Sequence, residues 1–314
     1  MMKRNRSTSQ YTVILLIIAL FLLLTLTSDT FLTYDNLYSV IYGVSIQFFA
    51  VIGFTLLIIM GEVDLAVGSM YGLSGTLVGY CICVWKWPLW TTIPAVLIVC
   101  AAMGFLVGVI VTRFRLNSMM VTLGTTSLIS GLNAVVFNSF PAVTYSAEYR
   151  AIAKFKILDI HWTIILMVVI VAVLEFLLHK LPALRKLYYI GNSNETARLY
   201  GIKTDKIKII CFTISALTAA IGGIVATSRI THSDILTGKN LEFTLITASV
   251  VGGASMAGGR GGILNAALGM VFIALLSNGM AIYRIDPFMQ QVALGVILIG
   301  AVFADVHMNA QKNS

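Results

Sequence analysis

Three carboxylates are the residues of this chain that could support proton or ion chemistry. Glu62 and Asp64 lie close together in the stretch GEVDLAVGS, which is embedded in a long apolar region, and Glu175 lies near the end of another apolar run. Acidic side chains inside membrane segments are rare and typically mark proton relays or ion sites. Coupling of transport to a proton or sodium gradient is therefore one hypothesis for this chain.

The same stretch also has a structural interpretation. Asp64 is followed by Leu65-Ala66-Val67-Gly68-Ser69, and a carboxylate at the start of a helix accepts hydrogen bonds from free backbone N–H groups, here those of residues 66 and 67. In an apolar setting those groups need a partner more than they would in water. Asp64, Gly68 and Ser69 are therefore predicted to form a helix-cap and turn motif. Neither acid then needs to be buried in lipid.

Enzymatic chemistry finds no support in the sequence. It contains no G-x-x-x-x-G-K-[ST] phosphate loop, no H-E-x-x-H and no G-x-S-x-G. The cysteines lie within or beside apolar segments, without an opposed pair or a histidine at metal-ligand spacing; they are Cys81, Cys83, Cys100 and Cys211. No catalytic residue, cofactor or metal is predicted, so any uphill transport would draw its energy from a partner or an ion gradient.

The composition identifies the setting of these residues. The 314 residues are 58% hydrophobic and 11% charged, whereas soluble domains carry about 25% charged residues. The apolar runs are long enough to cross the ~30 Å hydrocarbon core as helices, which takes about 20 residues. The net charge of +8 does not indicate nucleic-acid binding, because the basic residues lie between the apolar runs, where they set topology. An all-α, polytopic membrane protein is predicted.

About ten apolar segments are candidate membrane-spanning helices. They are residues 11–27, 40–60, 65–84, 89–112, 119–138, 161–179, 208–228, 242–257, 263–282 and 288–304. With the N-terminus inside, 14 basic residues fall inside and 7 outside, as the positive-inside rule favours. We predict one transmembrane domain over residues 1–314, both termini inside, with an external loop at 139–160 and an internal loop at 180–207. Eight or nine spans with a re-entrant segment are the alternative, since 119–138 and 242–257 are weak.

The internal loop contains a candidate docking helix. Residues 194–200 are predicted to be helical, with Asn192, Ser193 or Asn194 as N-cap and a glycine as the left-handed end. Apolar side chains on so short a helix are exposed unless a partner covers them. The predicted docking residues are Asn194, Glu195, Thr196, Ala197, Arg198, Leu199, Tyr200 and Gly201. An ordinary basic helix on the membrane surface is the alternative.

A glycine-rich segment follows at residues 252–262, with six glycines in eleven residues. A continuous helix is excluded, because each glycine costs about 1 kcal/mol relative to alanine. Broken backbone at membrane depth is tolerated only inside protein or beside water. A phosphate-binding loop is disfavoured, because no strand precedes the segment and no lysine–hydroxyl pair follows it. The predicted turn residues are Gly252, Gly253, Gly258, Gly259, Arg260 and Gly261.

Taken together, these segments resemble the membrane subunit of bacterial ABC sugar importers of the ribose, xylose, arabinose and autoinducer-2 type. The matching stretches are VDLAVGS (63–69), YYIGNSNETARLYGI (188–202), KIKII (206–210), VVGGASMAGGRGG (250–262), and LLSNGM with FMQQVALGVILIGAVFAD (275–305). The likeness extends over essentially the whole chain, and the combination is more specific than any one stretch.

This resemblance implies a permease of the bacterial inner membrane that forms the pathway for a pentose, hexose or related solute. It further implies a periplasmic or lipid-anchored sugar-binding protein, a second permease chain, identical or not, and two ATP-hydrolysing subunits. The helix at 194–201 would insert into a groove of an ATPase subunit and couple its motion to the membrane. An ABC permease for branched-chain amino acids and an ion-coupled secondary transporter are the alternatives.

Some residues depart from the family pattern. Glu62 stands where the family usually has Gly, Ala66 stands where Ser is usual, and Leu264-Asn265-Ala266 replaces a usual Gly-Thr pair. Asp64 follows the pattern. Replacement of Glu62 by glycine is therefore expected to be tolerated.

Overall fold

The computed structural model describes residues 2–138, 146–232 and 235–313, which are almost entirely helical. The helices are α1 (Met2–Thr27), α2 (Tyr34–Ile59), α3 (Val67–Cys83), α4 (Leu89–Arg113), α5 (Ser118–Asn138), α6 (Ala147–Lys154), α7 (Trp162–Lys180), α8 (Pro182–Asn192), α9 (Asn194–Leu199), α10 (Thr204–Ile230), α11 (Leu241–Val251), α12 (Ile263–Ile282) and α13 (Pro287–Asn313). Two short strands, β1 (Lys156–Ile157) and β2 (Ile160–His161), form an antiparallel hairpin. Part of the predicted external loop, 139–145, lies outside the described residues.

Seven of the described helices are long and apolar enough to cross a membrane: α2, α4, α5, α7, α10, α12 and α13. Three shorter apolar helices accompany them, namely the second part of α1, α3 and α11. A helix needs about 20 apolar residues to span the hydrocarbon core. The predicted class, an all-α polytopic membrane protein, is confirmed by this set of helices.

The predicted span at 242–257 is wrong as a continuous helix. The helix here, α11, has 11 residues, about 16 Å at 1.5 Å per residue, which is roughly half of the ~30 Å core. It ends because Gly253 takes φ +91° and the amides of residues 253 and 254 donate back into the last turn at 2.8 and 2.9 Å. These paired bonds are a Schellman C-terminus. The glycine-rich residues that follow form a non-helical turn, as the sequence predicted.

The centre of the bundle is α10, which packs against α2, α3 and α4. Glycines allow these backbones to approach closely: a Cβ on Gly104 of α4 would lie 2.5 Å from the Cβ of Ala216, and one on Gly108 would lie 2.8 Å from the Cα of Ile209. In lipid no hydrophobic effect drives helices together, so small residues favour their association by allowing close van der Waals packing. These glycines therefore serve close helix packing. By contrast, α7 and α13 lie on the outside, with 11% and 0% of their spans buried.

Helix α6 covers one end of this bundle. Tyr149 of α6 is fully buried, and its hydroxyl donates to the carbonyl of Ile224 in α10 at 2.8 Å. The hydroxyl of Tyr42 in α2 donates to the carbonyl of Ala153 at 2.7 Å. Because Ile224 lies near the last residue of α10 whereas α9 precedes its first, this cover and α9 are at opposite ends of the molecule.

Candidate docking helix and three-way junction

The short helix α9 is capped at both ends. The hydroxyl of Ser193 accepts a hydrogen bond from the amide of Thr196 at 3.2 Å, which is the preferred N-cap arrangement. At the other end Gly201 takes φ +75°. The amides of Gly201 and Ile202 donate to the carbonyls of Arg198 and Ala197 at 2.9 and 3.1 Å, again a Schellman pair. These local hydrogen bonds explain how a helix of only six residues is stable.

Two large apolar side chains of this segment are uncovered. Leu199 is 88% exposed and Tyr200 is 83% exposed. The helix itself is fixed to the start of α10, because the Arg198 side chain donates to the Thr204 hydroxyl at 2.9 Å and pairs with the Asp205 carboxylate. A rigidly held helix that exposes neighbouring apolar groups is typical of a protein-binding surface.

Behind α9, three segments meet through their backbones: the end of α2, helix α8 and residues 258–261. We call this contact the three-way junction. A Cβ on Gly191 of α8 would overlap the carbonyl oxygen of Ile59 in α2 and the amide nitrogen of Gly259. That amide donates to the Ile59 carbonyl at 2.9 Å, and the Tyr188 hydroxyl donates to the carbonyl of Gly261 at 3.0 Å. Helix α8 is therefore in direct backbone contact with the end of α2 and with the glycine-rich turn.

The glycines of the turn are required by its conformation. Gly258, Gly259 and Gly261 take φ values of +88°, +73° and +139°, in the region that glycine populates without steric cost. A Cβ on Gly258 would also lie 2.7 Å from the carbonyl oxygen of Gly191. Arg260 contributes through its backbone, whose carbonyl accepts from the amide of Ser255 at 3.4 Å.

The last helix also holds this turn. Asp305 of α13 is only 7% exposed. Its Oδ2 accepts from the Ser255 hydroxyl at 3.0 Å and from the amide of Met256 at 3.2 Å. The carboxylate thereby satisfies polar groups of the turn that have no partner within a helix.

The turn between α2 and α3, residues 60–66, lies next to the three-way junction. Gly61 takes φ +75° and ends α2. Hydroxyls of α5 satisfy the broken backbone: the Ser118 hydroxyl accepts from the amide of Val63 at 3.3 Å, and the Thr126 hydroxyl donates to the carbonyl of Leu65 at 2.7 Å. Irregular backbone among apolar helices needs such partners, because water is absent there.

Asp64 has a different environment from the predicted one. It is 5% exposed and is therefore buried inside the protein, which is consistent with the expectation that neither acid needs to be buried in lipid. Its Oδ1 accepts from the amide of Ala66 at 3.0 Å, but its Oδ2 accepts from the hydroxyl of Ser215 in α10 at 2.8 Å. Helix α3 starts at Val67 without a side-chain cap. The carboxylate thus ties the turn to α10 in addition to shaping it.

The predicted site residues do not form one cluster. Gly68 lies in the first turn of α3, where a Cβ would overlap a carboxylate oxygen of Glu242 and the carbonyl oxygen of Gly238. The Ser69 hydroxyl donates to the carbonyl of Ala66 at 2.9 Å. These residues pack α3 against the start of α11, whereas residues 194–201 lie beyond the three-way junction. Gly252 and Gly253 end α11 and join the two regions.

Residues 36–303 match the family model of the permease component of the branched-chain amino acid transport system. The chain belongs to this permease family. It is 28% identical to a ribose import permease of Haemophilus influenzae over 300 residues, which cover 94% of this chain and 93% of the relative. It is 30% identical to a probable ABC transporter permease of Escherichia coli K12, covering 98% and 93% of the two chains. An autoinducer 2 import permease of Yersinia enterocolitica is 30% identical over 94% of this chain and 81% of its own. No solved structure gives a significant match.

The permease holds a charged pair at the turn that the sequence does not reveal. Glu62 and Lys208 form an ion pair between the 60–66 turn and α10, with side chains only 12% and 13% exposed. Removing one member of a nearly buried pair leaves the other charge without compensation. The expectation that Glu62 tolerates replacement by glycine therefore does not hold for this geometry.

We accordingly expect Glu62→Gly to destabilise the permease by about 2–3 kcal/mol, somewhat below the 3–5 kcal/mol of fully buried pairs. Glu62→Gly combined with Lys208→Met should recover most of this loss, because no charge is then stranded. Thermal unfolding of the purified variants in one detergent measures both effects. Equal destabilisation of the single and double variants would show that Glu62 acts through something other than Lys208.

Glu175 and Glu242 complete the acidic residues of interest. The Glu175 carboxylate accepts from the amide of Leu264 at 3.2 Å, and so lies at the N-terminus of α12, where negative charge is favourable. Glu242 is 8% exposed at the start of α11. The sequence did not identify it as a buried acid. Among the residues that the structure describes, no group of three His, Cys, Asp or Glu side chains has the arrangement of a metal site.

Proposed function

We propose that this permease is the membrane subunit of an ATP-driven importer for a sugar or a related polyhydroxyl solute. Support for the cargo comes from its relatives, of which several are named ribose or autoinducer 2 import permeases and align over most of their length. The observation that carries the mode of energy supply is α9, a capped helix whose Leu199 and Tyr200 are exposed. A groove on an ATPase subunit is the partner that would cover them.

In this proposal ten segments cross the inner membrane and both termini lie inside. The other three segments are α1, α3 and the half-length α11, whose crossing is completed by the non-helical residues 235–240 that precede it. Helices α8 and α9 then lie on the inside, beside most of the basic residues of the loops, as the positive-inside rule favours. The α6 cover lies outside, where a sugar-binding protein would dock.

The transport step follows from the three-way junction. Closure of two ATPase subunits would displace α9, and α8 would pass that displacement to the end of α2 and to the glycine-rich turn through Gly191. The turn connects α11 with α12 and is bonded to α13 through Asp305. Rigid-body shifts of these helices against those of a second permease chain would alternate access to a central pathway. The permease itself supplies no catalytic residue in this scheme.

Two other cargo and energy assignments are less favoured. The description of the family model names branched-chain amino acids, but two of the three relatives named above are permeases for ribose and autoinducer 2. Ion coupling would need an acid free to bind and release a cation. Glu62 is paired with Lys208, and both oxygens of Asp64 accept hydrogen bonds.

Uptake into proteoliposomes tests the proposal. Vesicles would hold the permease together with the ATPase and the solute-binding protein that co-purify with it, and would receive labelled ribose or labelled leucine. We expect ribose or another sugar to accumulate only with internal ATP. Accumulation by the permease alone, driven by a proton or sodium gradient, would contradict it, and ATP-driven uptake of leucine would assign the other cargo.

A further inference from the structure

A large apolar groove lies between α7 and α12, on the outside of the bundle. It has a volume of about 590 Å³, within the roughly 300–1,000 Å³ of small-molecule sites. Apolar side chains form most of its wall, among them Val168, Val171, Phe176 and Leu268. Val168 and Phe176 are 59% and 61% exposed, so the groove opens sideways, toward the surroundings of a helix that is only 11% buried. In a membrane those surroundings are lipid chains.

One end of the groove is charged. Glu175, His179 and Lys180 line it where α7 ends. The acid is already engaged, because it accepts from the amide of Leu264 at 3.2 Å and lies 3.7 Å from the His179 ring. Arg185 of α8 is held beside this end by donating through its Nε to the carbonyl of His179 at 2.8 Å. Lys180 and Arg185 are both exposed, so the mouth presents two cationic side chains to the headgroup layer.

We propose that this groove binds one anionic phospholipid, with an acyl chain between α7 and α12 and its phosphate against Lys180 and Arg185. The apolar wall suits a hydrocarbon chain, and the helix end puts the two cations at headgroup depth. Each nearby basic residue strengthens the binding of anionic lipid by about fivefold. A second protein copy fits this groove less well, because it would bury the charged end.

Such a lipid would lie next to the three-way junction. Glu175 fixes α7 to the first turn of α12, which directly follows the glycine-rich turn, and α8 starts two residues after Lys180. The bound chain would therefore brace the two helices that frame this side of the junction. This inference needs only the membrane location of the permease and is independent of its cargo and energy source.

Fluorescence quenching by brominated lipids tests the site. Phe176→Trp places a reporter in the groove wall, and the purified full chain is reconstituted with brominated phosphatidylglycerol or brominated phosphatidylcholine at low mole fraction. We expect the reporter signal, taken relative to the native tryptophans, to show at least about fivefold tighter binding of the anionic lipid. Adding Lys180→Gln and Arg185→Gln should reduce this preference to near one.

The matched control is Phe105→Trp on α4, which is 50% exposed and does not line the groove. It should be quenched equally by both lipids. Equal quenching of the Phe176→Trp reporter by the two lipids, or an unchanged preference after the two glutamine substitutions, would overturn the proposal. Protection of that reporter from both lipids, accompanied by self-association, would overturn it in favour of a second copy in the groove.

Discussion

Leu199→Asp combined with Tyr200→Asp is expected to lower ATP-driven uptake by at least about 100-fold and to release the ATPase from the purified permease. Large apolar side chains at the centre of an interface contribute about 2 kcal/mol or more each, and a loss of about 3 kcal/mol already weakens binding about 100-fold. Both side chains are more than 80% exposed in the isolated chain, so the substitutions leave its own packing intact. Co-purification and vesicle uptake measure the two effects.

Phe114→Asp provides the control for this double variant. Phe114 follows α4, is 67% exposed, and lies in the connection between α4 and α5, which the proposed topology also places on the inside. The change likewise puts a negative charge at an exposed apolar position but should leave ATPase binding and uptake near wild type. Retention of both properties by the Leu199→Asp, Tyr200→Asp variant would show that α9 is not the docking helix.

Gly191→Ala is expected to abolish coupling through the three-way junction. A Cβ there would overlap backbone atoms of Ile59 and Gly259, and backbone, unlike a flexible side-chain end, has no alternative rotamer. Overpacking of this kind costs typically 1–3 kcal/mol, so we expect a lower unfolding temperature, α8 displaced from the turn, and uptake reduced more than tenfold. ATPase binding should persist, because Leu199 and Tyr200 are unchanged.

Gly131→Ala is the matched substitution. Gly131 lies inside α5, and a Cβ there would meet nothing within 4 Å, so the change should leave uptake unaltered and stabilise the helix by up to about 1 kcal/mol. Normal uptake with Gly191→Ala, at an unchanged unfolding temperature, would mean that α8 and the turn are not in backbone contact in the working permease.

Local signals in the sequence predicted the local structure well. The long apolar runs correspond to the long helices, the Ser193 and Gly201 positions bound α9, and the glycine cluster marks a non-helical turn. Each of these features depends on residues within one helix or turn. Hydrophobic periodicity, capping chemistry and glycine conformation are properties of such short windows.

Long-range pairings could not be predicted in the same way. Glu62 lies 146 residues from Lys208, and Ser255 lies 50 residues from Asp305. Their partners depend on how helices are arranged in space, which no local pattern encodes. Apolar composition alone extended the predicted span to residue 257, beyond the end of α11 at Val251, whereas the glycines marked the change of backbone conformation at Gly253.

Crosslinking from position 200 tests the central claim most directly. A photoreactive benzophenone residue would replace Tyr200 in the permease expressed in its own cells, and illuminated membranes would be analysed by mass spectrometry. We expect the main product to join the permease to an ABC-type ATPase subunit, with the same residue at position 114 giving no such product. Products with lipid alone from position 200, in membranes that retain ATP-driven uptake, would contradict the assignment of α9 as the coupling helix.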